Sequence, residues 1–102
     1  MALIRSAQQQ DVEQLVGLLH SLFTIEEDFS ADTGKQRSGL ELMLADARSQ
    51  VLVAEADSQV VGLCTGQVVI STAEGGPAIL VEDMVVAEGY RGQGIGRLLL
   101  GG

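Results

Sequence analysis

The stretch from Val81 to Leu100 restricts what this chain can fold into more than any other. An apolar, β-branched run, Val81-Glu82-Asp83-Met84-Val85-Val86, leads through Ala87-Glu88-Gly89-Tyr90-Arg91 to Gly92-Gln93-Gly94-Ile95-Gly96, which holds three glycines in five positions. A helix-like run, Ile95 to Leu100, follows at once. Strand, glycine-rich turn and helix start, in that order, form a holder for phosphate. The first amides of a helix have no partner within it, and the helix dipole places partial positive charge there. Glycines let the backbone approach closely and take dihedrals that a Cβ forbids, so successive N–H groups can point into one anion-sized concavity. Arg91 and Arg97 flank the turn, Arg91 as a phosphate contact and Arg97 as a surface residue of the first helical turn.

Two common phosphate motifs are excluded. A Walker loop needs Gly-Lys-Ser/Thr after its spacer, and none is present. A dinucleotide-binding Gly-x-Gly-x-x-Gly fails because Arg97 stands where its third glycine belongs.

The run Arg91-Gly92-Gln93-Gly94-Ile95-Gly96 resembles the Arg/Gln-x-x-Gly-x-Gly/Ala signature of the GNAT family of N-acetyltransferases. Glu82-Asp83-Met84-Val85-Val86 and Tyr90 resemble the strand that precedes that signature in the family. The resemblance extends back over essentially all 102 residues and covers the first two-thirds of a usual family domain.

The order of elements agrees with it. Ala2 to Arg5 reads as a short edge strand, and Asp11 or a neighbour caps a helix. Val12, Leu15, Val16, Leu19, Leu22 and Phe23 recur at i, i+3, i+4 and i+7 and give that helix one apolar stripe. His20 lies beside the stripe. Thr24 to Ser38 loses the period and reads as a loop, and a second helix follows from Arg37 to Arg48 with Leu40, Leu42, Met43, Leu44 and Ala47 as its apolar residues. Gln50 to Ala56 is a strand, Asp57-Ser58 a tight hairpin turn, and Gln59 to Ser71 a longer strand. Thr72 to Pro77 turns, and Ala78 to Ala87 is the strand that delivers the glycine loop. The sum is a single domain over residues 1–102, α+β in class, ordered β-α-α-β-β-β-α with a mainly antiparallel sheet.

Composition bounds the partners. A net charge of −8 and 46% hydrophobic content argue for a small core and against nucleic acid or an anionic membrane as partner. No apolar run approaches the roughly 20 residues of a membrane helix. One cysteine, Cys64, within an apolar strand, reads as a buried thiol in a reducing cytoplasm. No metal-ligand spacing is present, for His20 or elsewhere.

The resemblance implies acetyl-coenzyme A as cosubstrate and an amine-bearing acceptor. The pyrophosphate would sit on the amides of Gly92, Gln93, Gly94, Ile95 and Gly96, beside Arg91. The pantetheine arm would pair with backbone near Met84, Val85 and Val86. Glu82 or Asp83 would take the proton that the acceptor ammonium must lose before it attacks the thioester. Strict alternation along a strand puts those two side chains on opposite faces, so one at most would face the site. The pair also reads as a strand-end couple facing water, and Tyr90 reads as packing under the loop. Glu26, Glu27 and Asp28 read either as a solvated loop or as a contribution to binding a cationic acceptor, because in the family the segment between the first two helices lines the acceptor pocket.

The family normally continues with further elements, so the expected fold is truncated after the phosphate-loop helix. The later tyrosine that often acts as general acid has no counterpart, and Ala78 to Ala87 would carry an exposed apolar edge that a homodimer could cover. Beside catalysis stand two other readings, a non-catalytic acyl-coenzyme A-binding or regulatory module and an inactive fragment.

Overall fold

The apolar stripe of the first helix meets a sheet built from the period-2 runs. The structure, a computed structural model, describes residues 2–26 and 33–101, with residues 22–26 described by their backbone alone. Its elements are β1 (Leu3–Ser6), a short 3-10 turn (Gln9–Asp11), α1 (Val12–Glu26), α2 (Thr33–Ala45), β2 (Ser49–Ala56), β3 (Gln59–Ser71), β4 (Gly76–Val86) and α3 (Ile95–Leu99). The four strands form one antiparallel sheet in the order β1-β2-β3-β4, as the α+β reading requires. β1 and β4 are its edges among the described residues. None of the described helices is long and apolar enough to cross a membrane.

Helices cover both faces. Val12, Leu15, Val16 and Leu19 of α1, with Leu40 of α2, pack on Val51, Val53, Val60, Leu63 and Val85. On the opposite face Ile95 and Leu99 of α3 pack on Ala54, Ala56, Val61 and Cys64. The apolar stripe is therefore buried at four of its six expected positions, while Leu22 and Phe23 lie outside the described side chains. In α2, Leu42 is exposed, and Met43 and Leu44 are half-buried against the core.

Several boundaries differ from the sequence reading. The second helix begins at Thr33, four residues before Arg37, because its first turn is polar and carries no hydrophobic period. It stops at Ala45, before Arg48: the Asp46 carboxylate accepts the Arg48 N–H at 2.9 Å and the Ser49 hydroxyl at 3.1 Å, turning the chain into β2. Of the acidic run, Glu26 closes α1 with its side chain undescribed, and Glu27 and Asp28 lie outside the described residues. The hairpin turn falls at Asp57 and Ser58, both left-handed at φ 54° and 63°, the twist that suits a two-residue loop between antiparallel strands.

Two irregularities in the sheet matter for the site. Ala54 pairs with Gly62 and Glu55 with Val60, so Val61 is an extra residue in β3, where the Gln14 side chain of α1 accepts the Val60 N–H at 3.0 Å. Thr65 pairs with Asp83 and Gly66 with Val81, so Glu82 is an extra residue in β4.

Candidate functional site

The bulge at Glu82 resets which way β4 points its side chains. Two residues on the bulged strand oppose one on its partner, which breaks strict alternation and bends the strand. Toward the glycine loop, Val85 joins the α1/α2 core while Met84 and Val86 pack toward α3. Beyond the bulge, Ile79 and Val81 border a cavity on the α3 face. Between them Glu82 and Asp83 both border a cavity of about 270 Å³ on the α1/α2 face. The strict alternation that would put them on opposite faces is thus broken, and the inserted residue is the physical reason.

The two carboxylates differ in their partners. Thr65, fully buried and opposite Asp83 in the ladder, donates its hydroxyl to Asp83 Oδ2 at 2.7 Å and accepts the Asp83 N–H at 3.1 Å. Asp83 is therefore held in place, half-buried at the cavity wall. Glu82 is exposed, and among the described residues no side chain or backbone group bonds its carboxylate. Thr65 is a residue that the sequence reading missed, although a threonine within the apolar run of β3 was a visible signal. The rest of the cavity comes from Leu19 of α1 and from Lys35, Gln36, Gly39, Leu40 and Met43 of α2.

Cys64, the neighbour of Thr65, points to the other face and is buried. Burial first, and then the negative charge of Asp83, push its thiol up from the ordinary value. It is the inert buried cysteine that its setting in the sequence suggested. His20 is an exposed residue of α1. Among the described residues, no group of three His, Cys, Asp or Glu side chains is placed to hold a metal ion.

At the other end of Met84-Val85-Val86 the chain enters the glycine loop. Gly89, Gly92 and Gly94 have φ of 93°, 78° and 81°, dihedrals that side chains with a Cβ rarely adopt, and Gly94 caps the start of α3 in that conformation. The loop is tied down locally. The Tyr90 N–H donates to Ala87 O at 3.0 Å, and the Gln93 side-chain amide donates to Gly89 O at 3.3 Å. Tyr90 packs its ring against the α3-face core, and its hydroxyl donates to Asp57 Oδ2 of the hairpin turn at 2.9 Å. That bond, with the aspartate charge behind it, raises the phenol above its ordinary value. Tyr90 is thus a packing residue with a polar tether.

Arg91 is exposed, and its Nε donates to Val86 O at 2.9 Å, which sets the guanidinium at the mouth of the loop over the end of β4. Gly92, Gln93 and Gly94 are exposed, Gly96 is half-buried, and Ile95 buries its side chain against the sheet so that only its backbone faces the loop. Arg97 is exposed on α3. Of the three consecutive leucines, Leu99 is buried and Leu98 and Leu100 are exposed.

The structure therefore strings the expected residues along one open-edged strand. Glu82 and Asp83 sit at a bulge beside a cavity. Met84 to Val86 come next, and the glycine loop with Arg91 follows. From Asp83 to Ala87 the strand advances about 13 Å at the usual rise per residue. Alternate backbone groups of an edge strand face away from its single neighbour, where they can pair with an extended ligand.

Comparison with known proteins gives this arrangement a family. Residues 47–101 match the model of a family described as acetyltransferase (GNAT) domain. No curated protein matches the chain. Among solved structures it is similar to a possible acetyltransferase from Clostridium difficile 630, with 22% identity, a TM-score of 0.87, and 99% of this chain covering 67% of that one. It is also similar to a predicted acetyltransferase with acetyl-CoA from Clostridium acetobutylicum, at 19% identity and a TM-score of 0.80, with 99% of this chain covering 70% of that one. A putative acetyltransferase from Agrobacterium tumefaciens strain C58 gives 26% identity and a TM-score of 0.76, with 96% of this chain covering 67% of that one.

Proposed function

The chain belongs to the GNAT family of acetyltransferases, and on that premise we propose that it transfers an acetyl group from acetyl-coenzyme A to an amine of a small molecule or peptide. The observation that carries the reading is the bulge at Glu82. It brings Glu82 and Asp83 together at the lining of one cavity, on the edge strand that ends in the glycine loop.

The cosubstrate's pyrophosphate would lie on the amides of Gly92 to Gly96, with the Arg91 guanidinium adding full positive charge. Its pantetheine arm would run along the outer edge of β4 at Met84 to Val86, which brings the thioester to the bulge. The acceptor amine enters from the cavity as an ammonium, drawn by the field of Glu82 and Asp83. Glu82, exposed and without a partner among the described residues, takes the proton directly or through one water. Asp83, pinned by Thr65, supplies fixed negative charge that orients the amine. The neutral amine then attacks the thioester carbonyl, the carbon–sulfur bond breaks, and the coenzyme leaves as a thiolate that takes up the proton shed by the newly acylated nitrogen.

A second reading, an acyl-coenzyme A-binding module without turnover, draws on the same Asp83, whose carboxylate is already satisfied by Thr65. Calorimetric titration of the chain with acetyl-coenzyme A tests both. Micromolar binding is expected, and Gly94→Asp should abolish it, since it places a charge in the loop and a side chain at φ 81°. Glu82→Gln should keep the affinity and lower turnover with an amine acceptor about 100-fold or more, the usual contribution of a general base. No binding by the native chain would overturn the function. Binding with no turnover on any amine would favour the module.

A further inference from the structure

The cavity beside Glu82 and Asp83 holds one feature that neither the fold nor the proton-transfer step uses. Gln36 of α2 borders it and is 8% exposed. Neither its amide nitrogen Nε2 nor its amide oxygen Oε1 has a hydrogen-bond partner among the described residues. A buried carboxamide left unpaired is costly in a folded protein, and buried polar atoms are satisfied in the great majority of cases. Leucine or methionine would fill the same space without that cost. A glutamine at this position therefore points to a partner that arrives with the ligand.

The chemistry of that partner can be narrowed. A carboxamide offers one donor group and one acceptor group. A carboxylate, which Glu82 and Asp83 would repel and Lys35 at the same cavity would attract, uses only the donor and leaves the amide oxygen unpaired. An ammonium would use only the acceptor. A second amide answers both atoms with N–H and C=O. Leu19, Leu40 and Met43 supply the apolar part of the wall, beside Lys35 and Gly39. A cavity of about 270 Å³ suits a group the size of one amino-acid residue rather than a large ligand. Both amide atoms are screened from water in the empty site. The terminal torsion of glutamine is soft, so a small rotation turns them toward a ligand.

We propose that Gln36 is the specificity-determining residue of the acceptor pocket, and that it selects an amine carrying a neutral amide close to an apolar side chain. The ammonium faces Glu82 and Asp83, the apolar group lies on Leu19, Leu40 and Met43, and the amide pairs with Gln36. An amino-acid amide, or the first residue of a peptide, has that constitution. The assignment rests on the transferase reading for the role of the cavity and adds the acceptor class to it.

The test compares two amines that differ in one group: leucinamide, and 3-methylbutylamine, which keeps the amine and the branched chain but lacks the carboxamide. Direct binding is followed by calorimetry, and acetylation by release of free thiol from acetyl-coenzyme A. In calorimetry near pH 7, where both amines are mostly protonated, the native chain should bind leucinamide about tenfold more tightly, the worth of one or two neutral hydrogen bonds, and it is this affinity ratio that is compared with the variant. Gln36→Met, similar in length and without polar atoms, should bring the ratio to about one. It should also hold or raise the thermal midpoint, because it removes an unpaired buried amide. Acetyl-coenzyme A affinity should not change. A purely structural role for Gln36 would lower the midpoint and leave the ratio intact, and that result overturns the assignment. Binding of neither amine overturns it as well. Gln36-dependent binding of leucinamide with no thiol release would uphold the pocket and fail the transferase reading instead.

Discussion

The two faces of the sheet solve different problems. Toward α1 and α2 the buried residues are large and branched, Leu15, Leu19, Leu40, Val53 and Leu63 among them, and two helices of 15 and 13 residues cover them. Toward α3 the sheet offers Ala54, Ala56, Gly62 and Cys64, and a helix of five residues covers them with Ile95 and Leu99. Each large core side chain contributes about 1.5–3 kcal/mol through burial, so the first face carries most of the stability. The second face buries less and brings backbone closer. Its small residues seat α3 tightly on the sheet, and α3 is what fixes the end of the glycine loop. Most of the stability and the seat of the glycine loop are thus divided between the faces, and substitutions on each should separate them.

The largest effect is expected at Leu15, which is fully buried against the sheet. Leu15→Ala should cost about 3 kcal/mol, the transfer of the lost methyl groups plus the cavity left behind. Urea denaturation would read it as a fall in midpoint at constant slope. At temperatures where the variant remains folded, its affinity for acetyl-coenzyme A should equal that of the native chain. A loss of affinity in the folded variant would show that the faces are coupled.

A second break on the same face is electrostatic. Arg5 of β1 forks onto Asp11 at 2.8 and 2.9 Å and donates its Nε to Glu55 at 2.8 Å. Asp11 is 3% exposed and also accepts the Gln8 N–H at 2.7 Å. The Arg5 bond chiefly, helped by the backbone N–H, holds the Asp11 carboxyl below the usual aspartate range against the effect of burial. A depressed folded-state pKa contributes stability above the unfolded value of about 3.9, and that contribution is lost as pH falls through the folded value. Asp11→Asn should therefore cost about 2 kcal/mol at pH 7, since it breaks a charged fork but keeps one acceptor oxygen. The gap between native and variant should close as the pH is lowered below about 4. Denaturation midpoints measured from pH 7 down to 2 check both statements, and a gap independent of pH would refute the electrostatic account.

The sequence shows these features unequally. The apolar stripe from Val12 to Leu19, the turn at Asp57-Ser58 and the full extent of β3 were legible because periodicity and turn chemistry are written in neighbouring residues. The first turn of α2 was not, because Thr33, Gly34, Lys35 and Gln36 carry no apolar rhythm and yet Gln36 is buried. The fork of Arg5 on Asp11 joins residues at a spacing that neither helix nor strand repeats, and only the folded chain brings them together. Glu82 and Asp83 were visible as a pair, but their common orientation was hidden. It depends on one unpaired residue in β4, and its mark lies on the partner strand, at Gly66 beside the register shift, where a Cβ would come within 2.9 Å of Ile79 Cγ2. The glycine loop could be read as a turn from Gly89, Gly92 and Gly94, whereas the bond that folds Arg91 back onto Val86 could not.

The smallest effect on stability, and the sharpest test of the division, is expected at Gly62. A Cβ there would lie 3.2 Å from Ala54 Cβ, Ile95 Cγ2 and Leu99 Cδ1, closer than ordinary contact but against methyl groups that can yield a few tenths of an ångström. Gly62→Ala sets overpacking of about 1 kcal/mol against a stabilisation of about 0.4–1 kcal/mol from a stiffer unfolded chain. The denaturation midpoint should barely move. Ala54 Cβ is fixed to the backbone of β2, so the groups that yield are those of Ile95 and Leu99 in α3, and its start and the Gly94 cap shift outward with them. Acetyl-coenzyme A affinity should then fall several-fold while stability stays level, the reverse of the result at Leu15. A variant that loses stability and keeps its affinity would mean that the small residues under α3 serve only packing, and that the glycine loop holds its shape through its own hydrogen bonds.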